Sequence, residues 1–132
     1  MSCKAALYAA NVTEQTIDTG GIVNFGNPIR RFGQNISVIG GNVILSGQGY
    51  YEIATNITFS PNGAGPVTVT ILADGVPVPG AVFERTTANG LIYSGEIPAI
   101  IRVQCCKPVT ITVEMAGATN TVTNAAIVVE KI

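Results

Sequence analysis

Gly47-Gln48-Gly49-Tyr50-Tyr51-Glu52-Ile53-Ala54-Thr55-Asn56-Ile57-Thr58-Phe59 decides the fold of this 132-residue chain. It reads as one long strand entered through a Gly-rich turn. Side chains alternate along a strand, so Tyr51, Ile53, Ile57 and Phe59 fall on one face, with Thr55 among them. Tyr50, Glu52, Ala54, Asn56 and Thr58 fall on the other. The first face is a core face. The second carries an aromatic ring and an alanine, so it too needs cover. The rest of the chain supplies one cover, and a second copy of the protein is expected to supply the other.

The composition agrees with that reading. Hydrophobic residues make up 47% and charged residues 11%, against about 25% charged in an average globular protein. So few charges leave much of the surface to Thr, Asn, Ser and Gly, or hide it in an assembly. Seven basic and eight acidic residues give a net charge of -1. No basic patch stands out that would hold phosphates, so nucleic acid is not an expected partner. No apolar run reaches the roughly 18 residues that span a bilayer as a helix. Residues 1–10 lack the long apolar segment and cleavage region of a signal peptide, so synthesis in a cytoplasm is expected. At this length a single domain over residues 1–132 is expected, large enough to bury a core.

Outward from the organising stretch, β-branched residues dominate, with Gly, Pro and Asn at short intervals and no helical periodicity. The expected strands before it are Lys4 to Ala10, Ile22 to Phe25 (ended by Gly26-Asn27-Pro28), Ile36 to Ile39 and Val43 to Leu45. After it come Val67 to Ala73, Val76 to Arg85, Ile97 to Cys105, Val109 to Met115 and Ala125 to Ile132. Asp74-Gly75 is a hairpin signal, because both central turn positions need positive φ. Pro77 and Pro79 cannot donate ladder hydrogen bonds, so their strand belongs at an edge. Val67-Thr68-Val69-Thr70-Ile71 and Val109-Thr110-Ile111-Thr112-Val113 alternate apolar residue with Thr: one face in the core, one in water. Ala5-Ala6-Leu7-Tyr8-Ala9-Ala10, Ile97-Pro98-Ala99-Ile100-Ile101 and Ala125-Ala126-Ile127-Val128-Val129 are apolar on both faces. A two-layer sandwich covers only one face of each sheet, so the second faces imply a homo-oligomer.

Four motifs then carry a resemblance. Gly49-Tyr50-Tyr51-Glu52-Ile53 resembles the strand entry of the C1q/TNF-like jelly-roll family, G-x-Y-x followed by Ile or Phe. The similarity is greatest to its bacterial branch, the C-terminal domain of the collagen-like Bacillus exosporium glycoprotein. Ala6-Leu7-Tyr8-Ala9 resembles the opening strand, Asp74-Gly75-Val76-Pro77-Val78-Pro79-Gly80 the N-G-V-P-V-P-G turn, and Ile127-Val128-Val129-Glu130-Lys131 the closing I-I-I-E-K. The resemblance implies an all-β, two-sheet antiparallel jelly-roll sandwich that assembles as a homotrimer. It places the first, last, organising and Ile97 strands in the inner sheet, facing the trimer partners, and the alternating Thr strands in the outer sheet. Tyr8, Tyr50, Ala54, Ala126 and Val128 are then the expected interface, with Tyr50 near the axis. No Gly-x-y repeat occurs in these residues, and a resemblance to small stand-alone jelly-roll proteins of Firmicute prophages is therefore the expectation.

Catalysis has little to work with. The chain has no His, which removes the commonest general base near neutral pH and excludes Ser/His/Asp and Cys/His triads. The carboxylates form no close motif in sequence, although a pair meeting in space stays open. Gly47-Gln48-Gly49 opens a strand rather than a helix, so it is no phosphate loop. No enzyme activity, catalytic residue or cofactor is expected. Cys3, Cys105 and Cys106 read first as free thiols in a reducing cytoplasm. The jelly-roll topology implies that Cys3 lies toward the same end as Cys105 and Cys106. A disulfide across a subunit boundary or a thiolate site for zinc is the sharper alternative. Asn11-Val12-Thr13, Asn35-Ile36-Ser37 and Asn56-Ile57-Thr58 match the glycosylation sequon and read as coincidence without a secretory signal.

The expected function is a non-enzymatic structural or adhesive homotrimer. A bacteriophage virion decoration, fibre-tip or baseplate knob, exposed on the virion surface, is the first reading. A spore-surface protein of a Firmicute or a receptor-binding ligand module is the alternative. Capsid, tail or spore-coat proteins or a host surface receptor are the expected partners, with no nucleic acid and no membrane.

Overall fold

The computed structural model describes residues 4–132. Its strands are β1 (Ala6–Asn11), β2 (Gln15–Ile17), β3 (Gly21–Ile22), β4 (Asn27–Phe32), β5 (Ile36–Ile39), β6 (Asn42–Leu45), β7 (Gly49–Pro61), β8 (Gly65–Ala73), β9 (Val76–Thr87), β10 (Tyr93–Val103), β11 (Val109–Ala116) and β12 (Asn120–Lys131). No helix occurs among the described residues. One sheet runs β10-β7-β12-β1-β4, with β2 beside the start of β12. The other runs β5-β6-β11-β8-β9, with β3 beside the end of β11. Every pairing is antiparallel.

The organising stretch becomes β7, the central strand of the first sheet. It pairs with β10 on one side and β12 on the other. Tyr51, Ile53, Ile57 and Phe59 have no exposed surface, and Thr55 is buried with them. They meet Val67, Val69, Ile71, Ile111, Val113 and Met115 of the second sheet in one apolar core. Each such side chain contributes about 1.5–3 kcal/mol through the surface it removes from water. The Tyr51 hydroxyl donates to Gly47 O at 2.6 Å, so the buried phenol is satisfied and the entry turn is tied to the core. Phe59 stacks on Phe83 of β9 and on Tyr93 of β10, with ring centroids 6.3 and 5.9 Å apart. These rings close the sandwich along the β9–β10 side.

Local chemistry explains the turns. Asp74 and Gly75 have φ of 51° and 81°, the positive pair that a tight two-residue hairpin needs between β8 and β9. Asp74 tolerates this conformation, and its Oδ1 accepts from Thr110 N at 2.8 Å. β9 lies at a sheet edge, the place in a sheet where prolines such as Pro77 and Pro79 are tolerated.

Three readings need correction. Ile22 to Phe25 is not one regular strand: only Gly21–Ile22 forms ladder pairs. Val23 and Phe25 are nevertheless buried, their N–H groups bonded to Val113 O and Gly41 O. Gly26-Asn27-Pro28 does not simply end a strand, because Asn27 and Pro28 begin β4. Pro28 is tolerated there because β4 is an edge strand and pairs beside a bulge at Tyr8/Ala9. Gln15–Ile17 also forms a short strand, placed by pairing with β12 rather than by any pattern of its own.

Candidate assembly interface

The outward face of the first sheet is fixed by register. Core residues point one way along β7, so Tyr50, Glu52, Ala54 and Asn56 point the other. Ala54 pairs with Pro98 of β10 and Val128 of β12, Val128 with Tyr8 of β1, and Tyr8 with Arg30 of β4. An apolar row thus crosses most of the sheet, Tyr8–Val128–Ala54–Pro98, capped by Arg30. On one side runs Ala10–Ala126–Asn56–Glu96, and on the other Phe32–Ala6–Glu130–Glu52–Ile100. Tyr8, Phe32, Ile100 and Val128 are 40, 60, 62 and 47% exposed. Those values are high for large apolar side chains that share one face.

The small side chains have a geometric effect. Ala54 and Ala126 stand between taller neighbours, leaving an open depression of about 260 Å³ bordered by Asn56, Pro98 and Val128. Tyr8 and Val128 flank a second, shallower depression of about 140 Å³ with Arg30 and Phe32. The sheet therefore presents knobs and hollows rather than a flat wall.

Two acidic residues stand in register here. Glu52 and Glu130 are direct partners across β7 and β12, both exposed. Like charges in this position oppose strand pairing. Sequence spacing hid the pair, because its members are 78 positions apart in the chain.

Solved structures place this architecture. Murine APRIL superposes with a TM-score of 0.72 at 12% identity, covering 98% of this chain and 99% of that one. The vertex protein P5 of PRD1 gives 0.68 at 16% identity, covering 100% and 99%. The globular domain of zebrafish complement 1qA gives 0.71 at 10% identity, covering 94% of each. The fold is the TNF/C1q-like jelly roll. No protein-family profile matches the sequence, and no curated protein does at significant similarity.

In this jelly roll the first, last, organising and Ile97 strands share one sheet, and the alternating Thr strands β8 and β11 lie in the other. Tyr8, Ala54, Ala126 and Val128 lie in adjacent rows of one face. Tyr50 shares that face but sits at its end, opposite Arg102 and beside Ile132, whose N–H donates to Tyr50 O at 2.9 Å. The middle of the face belongs to Val128 and Ala54. Sequence reasoning named neither Phe32 nor Ile100 as a member of this face. Ile100 was legible by alternation with Ile101. Phe32 was not, because its strand was hidden behind Asn27-Pro28.

Cys105 and Cys106 follow the end of β10. β10 is antiparallel to β1 by three successive antiparallel pairings, so the end of β10 and the start of β1 lie at the same end of the sheet. Cys3 lies outside the described residues. Cys105 and Cys106 are exposed free thiols with sulfurs 3.1 Å apart. The hydrogen bond to Cys106 raises the Cys105 thiol above its usual pKa. Among the described residues no three His, Cys, Asp or Glu side chains cluster as a metal site.

Proposed function

We propose that this jelly roll is a non-enzymatic structural module that works as a homotrimer, mounted on the surface of a phage virion. The carrying observation is the outward face of β10-β7-β12-β1-β4. Its apolar row Tyr8–Val128–Ala54–Pro98 is exposed in the single chain, and exposed apolar patches of this kind mark interaction surfaces. Closed symmetry covers the same patch on every copy and leaves no open end. The hollow at Ala54 and Ala126 accepts a protruding side chain of a neighbouring copy, and Tyr8 is of the size to fill it. The Glu52–Glu130 pair needs positive charge once the face is covered, and Arg30 and Arg102 lie on the same face to provide it from the next subunit. The virion reading is supported by the similarity to the PRD1 vertex protein along the full length of both chains. The non-enzymatic reading is supported by the absence of His and by structural relatives that are TNF, C1q and vertex proteins.

The test has two parts. Light scattering after size exclusion is expected to give three times the 13.6 kDa chain mass. Immunogold labelling of particles from a phage carrying the gene is expected to mark the particle surface. A chain mass of 13.6 kDa, or particles without label, overturns the corresponding half.

A further inference from the structure

The turn that carries β10 into β11 holds two adjacent thiols in an arrangement that an extended chain does not give. In a strand, neighbouring side chains point to opposite faces. Here Lys107 N donates to Gln104 O at 3.3 Å, closing a four-residue turn with Cys105 and Cys106 at its centre. Cys106 has φ of 66°, a left-handed conformation that residues with a β-carbon seldom adopt. The two sulfurs stand 3.1 Å apart, both on exposed residues. The far side of the turn is pinned: Thr110 N donates to Asp74 Oδ1 at 2.8 Å, and Asp74 N donates to Thr110 O at 2.9 Å. A change at the sulfurs therefore stays within the turn.

We propose that Cys105 and Cys106 form a redox-modifiable vicinal dithiol, oxidised by small-molecule disulfides to a disulfide within the turn and returned to thiols by reducing dithiols. This site is independent of the assembly interface. The thiolate of one of the two cysteines attacks one sulfur of the small disulfide, whose S–S bond breaks. One thiolate leaves and takes a proton, and the attacking cysteine holds the other half as a mixed disulfide. The second cysteine then loses its proton and attacks the first cysteine's sulfur, expelling the second small thiol. The two protein thiols give up two protons and two electrons, and the small disulfide becomes two thiols. The two sulfurs are hydrogen-bonded at 3.1 Å, so whichever thiol attacks first has the other in place to resolve the mixed disulfide.

The ring closes but does not lock. The sulfurs need approach by only about 1 Å to reach a disulfide bond of ~2.05 Å. Adjacent Cα atoms are held about 3.8 Å apart by a trans peptide, below the usual disulfide spacing of about 4.4–6.8 Å. Such a ring is strained, and strained, exposed disulfides are the labile ones. The pair thus behaves as a switch rather than a staple. The same bite suits a soft electrophile that accepts two thiolates, such as a trivalent organic arsenical.

The experiment uses the full chain with Cys3→Ser, titrated with glutathione buffers of rising oxidised fraction, acid-quenched and weighed intact. The expected product is an uncrosslinked chain lighter by two hydrogens, resistant to alkylation at Cys105 and Cys106, and restored by dithiothreitol. Adding Cys105→Ser or Cys106→Ser is expected to stop the reaction at one bound glutathione. Phenylarsine oxide is expected to bind one per chain and resist a monothiol. Either single variant should lose at least about a hundredfold in retention, the gain that a second linked ligand confers. Accumulation of two glutathiones, a disulfide-linked dimer, a chain reduced at every ratio, or arsenical retention equal to the single variants would each overturn the proposal.

Discussion

Val128→Glu separates assembly from folding. Val128 lies at the middle of the outward face, paired with Tyr8 on one side and Ala54 on the other. It is 47% exposed in the single chain, so the subunit does not depend on burying it. Surface substitutions of that kind usually change subunit stability by no more than about 0.5 kcal/mol. In a trimer that covers this face the new carboxylate is desolvated without a partner, at about 3–5 kcal/mol per site. Glu52 and Glu130 occupy the adjacent row, so the variant adds a third negative charge to an existing like-charge pair. At about 1.4 kcal/mol per factor of ten, each site weakens assembly by roughly two to three decades. Light scattering after size exclusion should show the wild type at three times 13.6 kDa and the variant at 13.6 kDa. Its far-UV circular dichroism should stay that of a β protein. A variant that remains trimeric with an unchanged melting temperature, or one that unfolds outright, would refute the placement of the interface on this face.

Tyr51→Ala should destabilise the subunit itself by about 3–5 kcal/mol, as truncation of a buried aromatic does; an unchanged urea midpoint would remove Tyr51 from the core. Gly75→Val should cost at least about 1 kcal/mol, because φ of 81° disfavours a β-branched residue although space is free. Chemical denaturation with no shift would contradict the hairpin. Gly95→Ala should cost about 1–3 kcal/mol by overpacking. Its new methyl would stand 2.6 Å from the Phe83 ring, which Phe59 and Arg85 hold in place. Equal stability of that variant would show that the β9–β10 side is loosely closed.

The sequence by itself determined the class of fold and the direction of the side chains along the organising strand. Alternation is a local property: once Tyr51 is assigned to the core, Tyr50 must face away, and β7 obeys this along its length. The Thr strands and the doubly apolar strands sort into separate sheets for the same reason, since a residue pattern records how many of its faces meet water. Asp74-Gly75 was legible because few residue pairs accept two positive φ angles. Other features depended on strands far apart in the chain. β2 is three residues long, and its place comes from hydrogen bonds to β12. β4 carries a proline and is exposed along its whole length, so no apolar period marks it; pairing with β1 decides it. The meeting of Glu52 with Glu130, and the position of Val128 rather than Tyr50 at the centre of the face, follow from register between β7 and β12. The 3.1 Å approach of the Cys105 and Cys106 sulfurs follows from the left-handed turn at Cys106. Register and turn conformation are set by the whole sandwich closing around its core, and no window of sequence contains that constraint.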